Sequence, residues 1–233
     1  MKLSLIVLTI LFNITNANIY EKCVNDKHIT ITFDDGPHIN TPAIVNILNN
    51  HNISGAFFIN GLNVIRNSQY NLIKEMSNQG HVIGTHGFSH AAMEKLNRFN
   101  KNREFYDNEF IFRQIFNKRP YFYRPPYFSY DAEVVEICNN FGYEIITSNL
   151  NTDDWMMDTA DDIYNSFLDK FSNYSGIIML QHDYQINGNE ALDKIIKYAK
   201  EENYTFVPLD ECIRSNKRFN EDNFYGPFLL NGI

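Results

Sequence analysis

Ile29-Thr-Ile-Thr-Phe-Asp-Asp-Gly-Pro37 is the stretch on which the fold turns. Ile29, Ile31 and Phe33 alternate with Thr30 and Thr32, the period of two of a short β-strand. The run ends on Asp34-Asp35-Gly36-Pro37, and Gly-Pro does not continue a strand ladder. Two adjacent carboxylates therefore stand where a strand ends and a loop begins. They repel each other, and a fold gains nothing from crowding them unless a cation sits beside them. One Asp can then bind the cation while its neighbour moves a proton. An ordinary Asp-Gly turn has the same residues, so the reading depends on what stands at the ends of the other strands.

Working outward, strand patterns recur at 55–60, 81–85, 121–124, 143–147, 176–180 and 204–207. Between them the apolar spacing predicts helices over 41–50, 70–78, 102–116, 131–141, 160–171 and 190–202, with a helical turn over 209–214. Asp131 is the expected cap of the fourth helix. Strand then helix, about seven times over, means a parallel sheet covered by helices. The fold class is α/β, and the alternation by itself allows either a closed barrel or an open doubly wound sheet.

The chain has 233 residues, enough for one large domain; 44% are hydrophobic and 15% aromatic, enough for a substantial core. A net charge of -8 without a basic run argues against nucleic acid and against an anionic membrane surface as partners. Lys2, the apolar run from Leu3 to Phe12 and the small-residue site Thr15-Asn16-Ala17 read as a signal peptide over residues 1–17, cut after Ala17; an uncleaved anchor is the alternative. Residues 18–27 are then a lead-in, 28–214 the domain and 215–233 an irregular tail. The expected product is a secreted monomer, extracellular or in the cell wall. Secretion permits disulfides, and a Cys23–Cys212 bridge would tie the two ends of the domain, with Cys138 left as a buried thiol. Asn52, Asn173 and Asn203 begin possible glycosylation sequons.

The C-terminal ends of the predicted strands carry the chemistry. The first gives Asp34 and Asp35, the third His86 and His90, the fourth Arg124-Pro-Pro-Tyr127. The fifth is followed by Asp153-Asp154-Trp155, and the sixth by His182-Asp183. In parallel α/β folds this end of the sheet holds ligands and catalysis. If the segment turns helically, His86 and His90, four apart, share a face and can grip one cation with Asp35. Two His and one carboxylate leave positions open for water and substrate. The bland readings are a surface coincidence for the histidine pair, a plain ion pair for Arg124, and core packing for Trp155 and His182. Asp183 and His38 read as loop polar groups; His28, His51 and His81 carry no expected role.

The set resembles the polysaccharide deacetylase family, the NodB-homology or carbohydrate esterase family 4 group, over roughly His28 to Arg214. Thr32-Phe-Asp-Asp-Gly-Pro37, His86 with His90, Arg124-Pro-Pro-Tyr127, Asp154-Trp155 and Leu180-Gln-His182 match its motifs in order. The resemblance implies a distorted (β/α) barrel and hydrolysis of N-acetyl groups on N-acetylglucosamine polymers, chitin or chitooligosaccharides first, in wall or spore-coat remodelling. It implies Asp34 as general base paired with Arg124, Asp35, His86 and His90 as ligands of a divalent metal (Zn²⁺ first, with Co²⁺ also fitting), and His182 as general acid oriented by Asp154. The Tyr127 N–H would hold the oxyanion, and Pro126, Trp155 and Leu180 would line the acetyl and sugar site. Gly87 stands where the family has Ser or Thr, Ala91 where Pro is common, Asn149 and Asn151 where Asp is common, and Phe128 where Gly is frequent. These departures leave a second expectation open, a weakly active or inactive glycan-binding wall protein with the same fold.

Overall fold

Among the described residues, nine strands, parallel wherever they pair, form one curled sheet. The computed structural model describes residues 17–220. The apolar leader before Ala17 and the end of the tail lie outside the described residues. The chain runs β1 (Ile19–Tyr20), β2 (His28–Gly36), α1 (Thr41–Asn50), β3 (Ala56–Ile59), α2 (Gly61–Asn67), α3 (Tyr70–Asn78) and β4 (Val82–Thr85). It continues with α4 (Arg98–Phe116), β5 (Arg119–Pro120), β6 (Phe122–Tyr123), α5 (Ala132–Phe141), β7 (Glu144–Ile146) and β8 (Leu150–Asn151). Then come α6 (Ala160–Phe171), β9 (Ile177–His182), α7 (Gly188–Glu201), β10 (Thr205–Phe206), α8 (Leu209–Cys212) and β11 (Phe219–Asn220). Across the sheet the order is β1-β7-β6-β4-β3-β2-β9-β8, with β10 beside the start of β2. The edges β1 and β8 do not pair with each other, so the sheet is an open, distorted barrel.

The two-residue period sorts every strand into an inner and an outer face. Ile29, Ile31 and Phe33 of β2, Phe57 and Ile59 of β3, Ile83 of β4, and Ile177 and Met179 of β9 pack outward against the helices. Ala56, Phe58, Val82, Phe122, Ile146 and Ile178 fill the inside, together with Cys23 and Cys212. Cys23 and Cys212 are bonded, which closes the foot of the barrel, and Cys138 is a buried free thiol. Gly84 faces inward because a Cβ there would meet the Phe58 ring at 2.6 Å.

Several elements depart from the sequence reading. The first strand does not stop before Asp34; it runs to Gly36, with a register shift between Phe33 and Gly36. β1 and β8, two residues each, and α2 carry too little pattern to announce themselves. Helix α4 starts at Arg98, because the Asn97 side chain caps it by accepting the Asn100 N–H at 2.9 Å. Asp131 does cap α5, accepting the Val134 N–H at 2.9 Å. The lead-in is part of the sheet through β1, and the described part of the tail is not wholly irregular, since β11 pairs antiparallel with β5.

Candidate active site

The same alternation that builds the core aims the site. Thr30, Thr32 and Asp34 of β2 sit in register with Ile178, Leu180 and His182 of β9. Ile178 lies in the inner cluster, so Asp34 and His182 stand side by side at the top of the inner face. Counting outward from Val82 and Gly84 puts His86 on that face, one residue past β4. Counting from Phe122 puts Arg124 there, one residue past β6. Strict alternation would turn Asp35 away. The register shift and a left-handed backbone at Asp35 (φ 71°) swing it back, so Asp34 and Asp35 line one cleft.

Asp35, His86 and His90 present one ligand atom each, all within 4.8 Å of one another. His86 Nε2 and His90 Nε2 lie 3.4 and 3.0 Å from Asp35 Oδ1. His86 Nδ1 donates to the Arg124 carbonyl at 2.8 Å, which turns Nε2 towards Asp35. Burial would raise the pKa of Asp35, but the hydrogen bonds and charge of His86 and His90 outweigh it and hold its carboxyl well below the usual carboxylate range. Two imidazoles and one ionised carboxylate fit a divalent cation with open positions. The histidine segment is not helical, as its spacing had implied; His90 is left-handed at φ 63°, and that turn brings the rings to 5.0 Å. Gly87 has φ 76°, a conformation that disfavours the Ser or Thr of the family pattern. The brace such a hydroxyl would provide comes from α4 instead. Glu104 accepts the Phe88 and Ser89 N–H groups at 2.8 Å each and the Ser89 hydroxyl at 2.6 Å.

Asp34 is 4% exposed and accepts from Arg124 Nη1 at 2.9 Å. Arg124 is fully buried, stacks on Phe58 at 4.2 Å and donates to Thr32 Oγ1 and the Ile146 and Thr147 carbonyls. Burial lowers the Arg124 pKa, and the Asp34 charge pulls it back up. On the adjoining β9, His182 Nδ1 lies 2.9 Å from Asp154 Oδ1, and the His182 backbone N–H donates to Asp154 Oδ2 at 2.7 Å. Burial works against the imidazolium, but Asp154, with Asp34 and Asp35 behind it, pushes His182 up to about 9. His182 lines the cleft and is held by a buried carboxylate, which a histidine packed only in the core would not be.

The cleft around these groups holds about 640 Å³ and is walled by Tyr127, Phe128, Trp155, Leu180 and Tyr184. Trp155 is 51% exposed, which removes the core reading for it. Pro126 does not line the cleft; Pro125 does. Pro126 is buried beside Gly87, near which its Cγ would lie 3.8 Å from an added Cβ, so it supports the histidine turn. The Tyr127 turn closes by bonds from the Phe128 and Ser129 N–H groups, and neither uses the Tyr127 N–H. Phe128 has φ 51°, which explains the Gly frequent in the family there; a side chain in that conformation costs about 1–2 kcal/mol. Asn149 bridges the Ile178 N–H and the Gly176 carbonyl, a structural task, while Asn151 reaches the cleft wall.

Sequence reasoning missed Asn60 and Asn63, which donate to Asp35 Oδ1 at 3.3 Å and to its carbonyl at 2.7 Å. Both lie on or before α2, the helix without a legible pattern. Tyr184 was also missed; its ring sits 5.3 Å from that of His182. Its place two residues after the last motif was the only signal. Asp183 lies in the turn after β9, as expected, but it is not solvated. It is fully buried, accepts from Thr41 Oγ1, and is pushed up to about 7 by burial, with Asp35 and Asp34 adding to the shift.

Comparison with known proteins agrees with this geometry. The family model described as polysaccharide deacetylase matches residues 21–146. A peptidoglycan-N-acetylglucosamine deacetylase of Bacillus cereus is 32% identical over 198 residues, 83% of this chain and 70% of the relative. The peptidoglycan-N-acetylglucosamine deacetylase PgdA of Listeria monocytogenes is 32% identical over 87% of this chain, which spans only 42% of that protein's length. The solved chitin deacetylase of the fungal pathogen Colletotrichum lindemuthianum superimposes with a TM-score of 0.83 at 26% identity, covering 88% of this chain and 96% of that one. From the doubled aspartate of β2 to the histidine at the end of β9, this chain belongs to the polysaccharide deacetylase family.

Proposed function

We propose that the protein hydrolyses N-acetyl groups from an N-acetylglucosamine-containing glycan, chitin or peptidoglycan, with a divalent cation held by Asp35, His86 and His90. One observation carries the reading. The three candidate ligands lie in one cleft with a carboxylate braced by a buried guanidinium and, on the adjoining strand, a histidine braced by a buried carboxylate.

The bound cation, Zn²⁺ by donor set, would polarise the acetamide carbonyl and lower the pKa of water. Asp34 takes a proton from the attacking water, and Arg124 keeps its carboxylate oriented. The oxygen adds to the acetyl carbon, and the Tyr127 N–H serves the developing oxyanion. His182 gives its proton to the nitrogen as the C–N bond breaks, leaving acetate and a free amine on the sugar. Asp154 fixes the ring and stabilises its charge throughout. Trp155 and Leu180 pack against the acetyl methyl, and Tyr127 and Tyr184 offer ring faces to the sugar. The Cys23–Cys212 bridge supports an oxidising compartment, the cell wall or the outside of the cell.

Acetate release from N-acetylglucosamine oligomers, before and after chelation and on adding back Zn²⁺ or Co²⁺, tests the reading. Asp35→Ala should lose both bound metal and turnover. Turnover that survives chelation and Asp35→Ala would overturn it. The alternative of an inactive binding protein rested on Gly87 and Phe128, and Glu104 supplies the brace that Gly87 lacks.

A further inference from the structure

The cleft has two flanks, and they differ in charge. Beyond His90 and Tyr127 one flank is lined by Glu94 and Lys95, which offset each other. The other flank, past Asp35 and Tyr184, is a depression of about 380 Å³ with Asn63, Arg66, Phe88 and His38 in its walls. Arg66 is its only Lys or Arg, and its only carboxylate is the metal-ligand candidate Asp35. The Arg66 side chain is exposed and has no ion pair or hydrogen bond among the described residues. In a chain of net charge -8, an unpaired guanidinium in the wall of a substrate groove lacks a structural explanation.

The helix carrying it is pinned to the site. Asn63 Nδ2 donates to the Asp35 carbonyl at 2.7 Å, and Asn67 Nδ2 to the Pro37 carbonyl at 2.9 Å. The Leu62 N–H bonds the Phe88 carbonyl in the histidine turn at 2.9 Å. Side chains three apart on a helix have Cβ atoms about 5–6 Å apart, so Arg66 stands one such step from Asn63. It is absent from the walls of the central cleft. Arg66 therefore lines the depression that continues from the central cleft past Asp35 and Tyr184. Its planar fork matches a carboxylate with two parallel hydrogen bonds.

We propose that Arg66 forms an anion subsite that recognises a carboxylate carried by the sugar adjoining the deacetylated residue. A glycan alternating N-acetylglucosamine with N-acetylmuramic acid meets this need, through the lactyl group or the stem peptide attached to it; neutral chitin does not. This rests on the deacetylase reading above and narrows its substrate. The flank that carries Glu94 and Lys95 provides no equivalent preference.

The test uses the metal-loaded full chain and three substrates: a neutral N-acetylglucosamine oligomer, a peptide-free alternating oligomer with free lactyl carboxylates, and its peptide-bearing form. Arg66→Ala should lower the ratio of kcat/KM on an acidic oligomer to that on the neutral one by about fivefold, the scale of a rim ion pair. The loss should appear in KM. Arg66→Glu should lower the ratio further, and Arg66→Lys should restore part of it. A loss confined to the peptide-free form points to the lactyl group, and one confined to the peptide-bearing form to the stem peptide; either supports the subsite. An unchanged ratio in Arg66→Ala and Arg66→Glu overturns it. Binding gives a readout independent of turnover, because Trp155 is the only tryptophan and lies in the cleft wall. If no glycan releases acetate, the deacetylase reading fails. Quenching of Trp155 then still decides the subsite: tighter binding of the acidic oligomer, lost in Arg66→Glu, supports it, and equal binding of all oligomers refutes it.

Discussion

Replacing Asp154 by Asn separates a histidine that is an acid from one that is merely packed. Asp154 uses both oxygens on one residue, Oδ1 on the His182 ring at 2.9 Å and Oδ2 on its backbone N–H at 2.7 Å. Both partners donate, so the site needs two acceptors. An amide offers one acceptor and one donor, and one of the two bonds must be lost. The rise of the His182 pKa from 6.5 to about 9 is worth about 3 kcal/mol of preference for the charged ring. Burial opposes that preference, so Asp154 and the more distant Asp34 and Asp35 together supply more than the net figure. A cation on Asp35 cancels part of the remainder, which leaves Asp154 as the main support. In the wild type, kcat/KM should fall as pH rises towards 9, when His182 loses its proton. In Asp154→Asn that alkaline limb should move down by about two pH units, with a drop in the plateau rate of about 10²-fold or more from the misheld ring. Stability should change in the same direction. A histidine with a raised folded pKa contributes stability that is complete below about 6.5 and lost as pH rises through about 9. The variant should therefore lose more stability to urea at pH 6 than at pH 10. An alkaline limb that stays in place, with activity lowered equally at every pH, would refute the reasoning.

Arg124→Met leaves the Asp34 carboxyl buried without its partner, so it should cost about 3–5 kcal/mol in urea unfolding as well as activity; Arg124→Lys should not rescue it, because four acceptors in different directions need the guanidinium fork. Glu104→Ala should weaken cation affinity by about 10–100-fold in a competition assay with a chromophoric chelator while the far-UV spectrum stays native. Cys23→Ser with Cys212→Ser should lower stability by up to about 5 kcal/mol, because the bridge closes a loop of 189 residues in the unfolded chain; metal content of the folded fraction should be unchanged.

Much of this was legible before the structure. Alternating apolar runs announced seven of the nine sheet strands, since a strand buried on both faces must be apolar or small throughout. The helices α1, α3 and α6 begin and end where apolar spacing places them. What stayed hidden has a common cause. β1 and β8 are two-residue strands with no period to detect, and α2 is a short helix in which Asn, Arg and Gly outnumber the apolar positions. Helix α2 carries Asn63, which donates to the Asp35 carbonyl, and Arg66, so both were invisible along with their element. The site residues divide in the same way. Asp34, His86, Arg124 and His182 stand at or just past strand ends and could be placed by counting; Asp35 could not, because only the register shift and its left-handed backbone turn it into the cleft. Tyr184, Glu104 and Asp183 act through contacts across the fold, and no local pattern reports a contact made with a residue far along the chain.

The doubled aspartate shows how a site requirement and a folding constraint become one. A regular strand cannot turn two successive side chains to the same face. Here β2 shifts register after Phe33, and Asp35 takes a left-handed backbone. Gly36 must follow, because a Cβ there would run into the Asp183 carboxylate. Asp183 is buried at that point because it holds Thr41, the first residue of α1, against the loop that leaves β2. A charge placed there is costly: burial and the neighbouring carboxylates raise its pKa to about 7, so the ionised form weakens the fold progressively as pH climbs from about 4 to 7. The position is tolerable only if something offsets the negative potential of Asp34, Asp35 and Asp183, which the β2–β9 pairing gathers at one end of the sheet. Arg124 and protonated His182 offset part of it from the protein side. A divalent cation held by Asp35, as proposed above, would offset the rest, so metal binding and the left-handed end of β2 are expected to favour the same conformation.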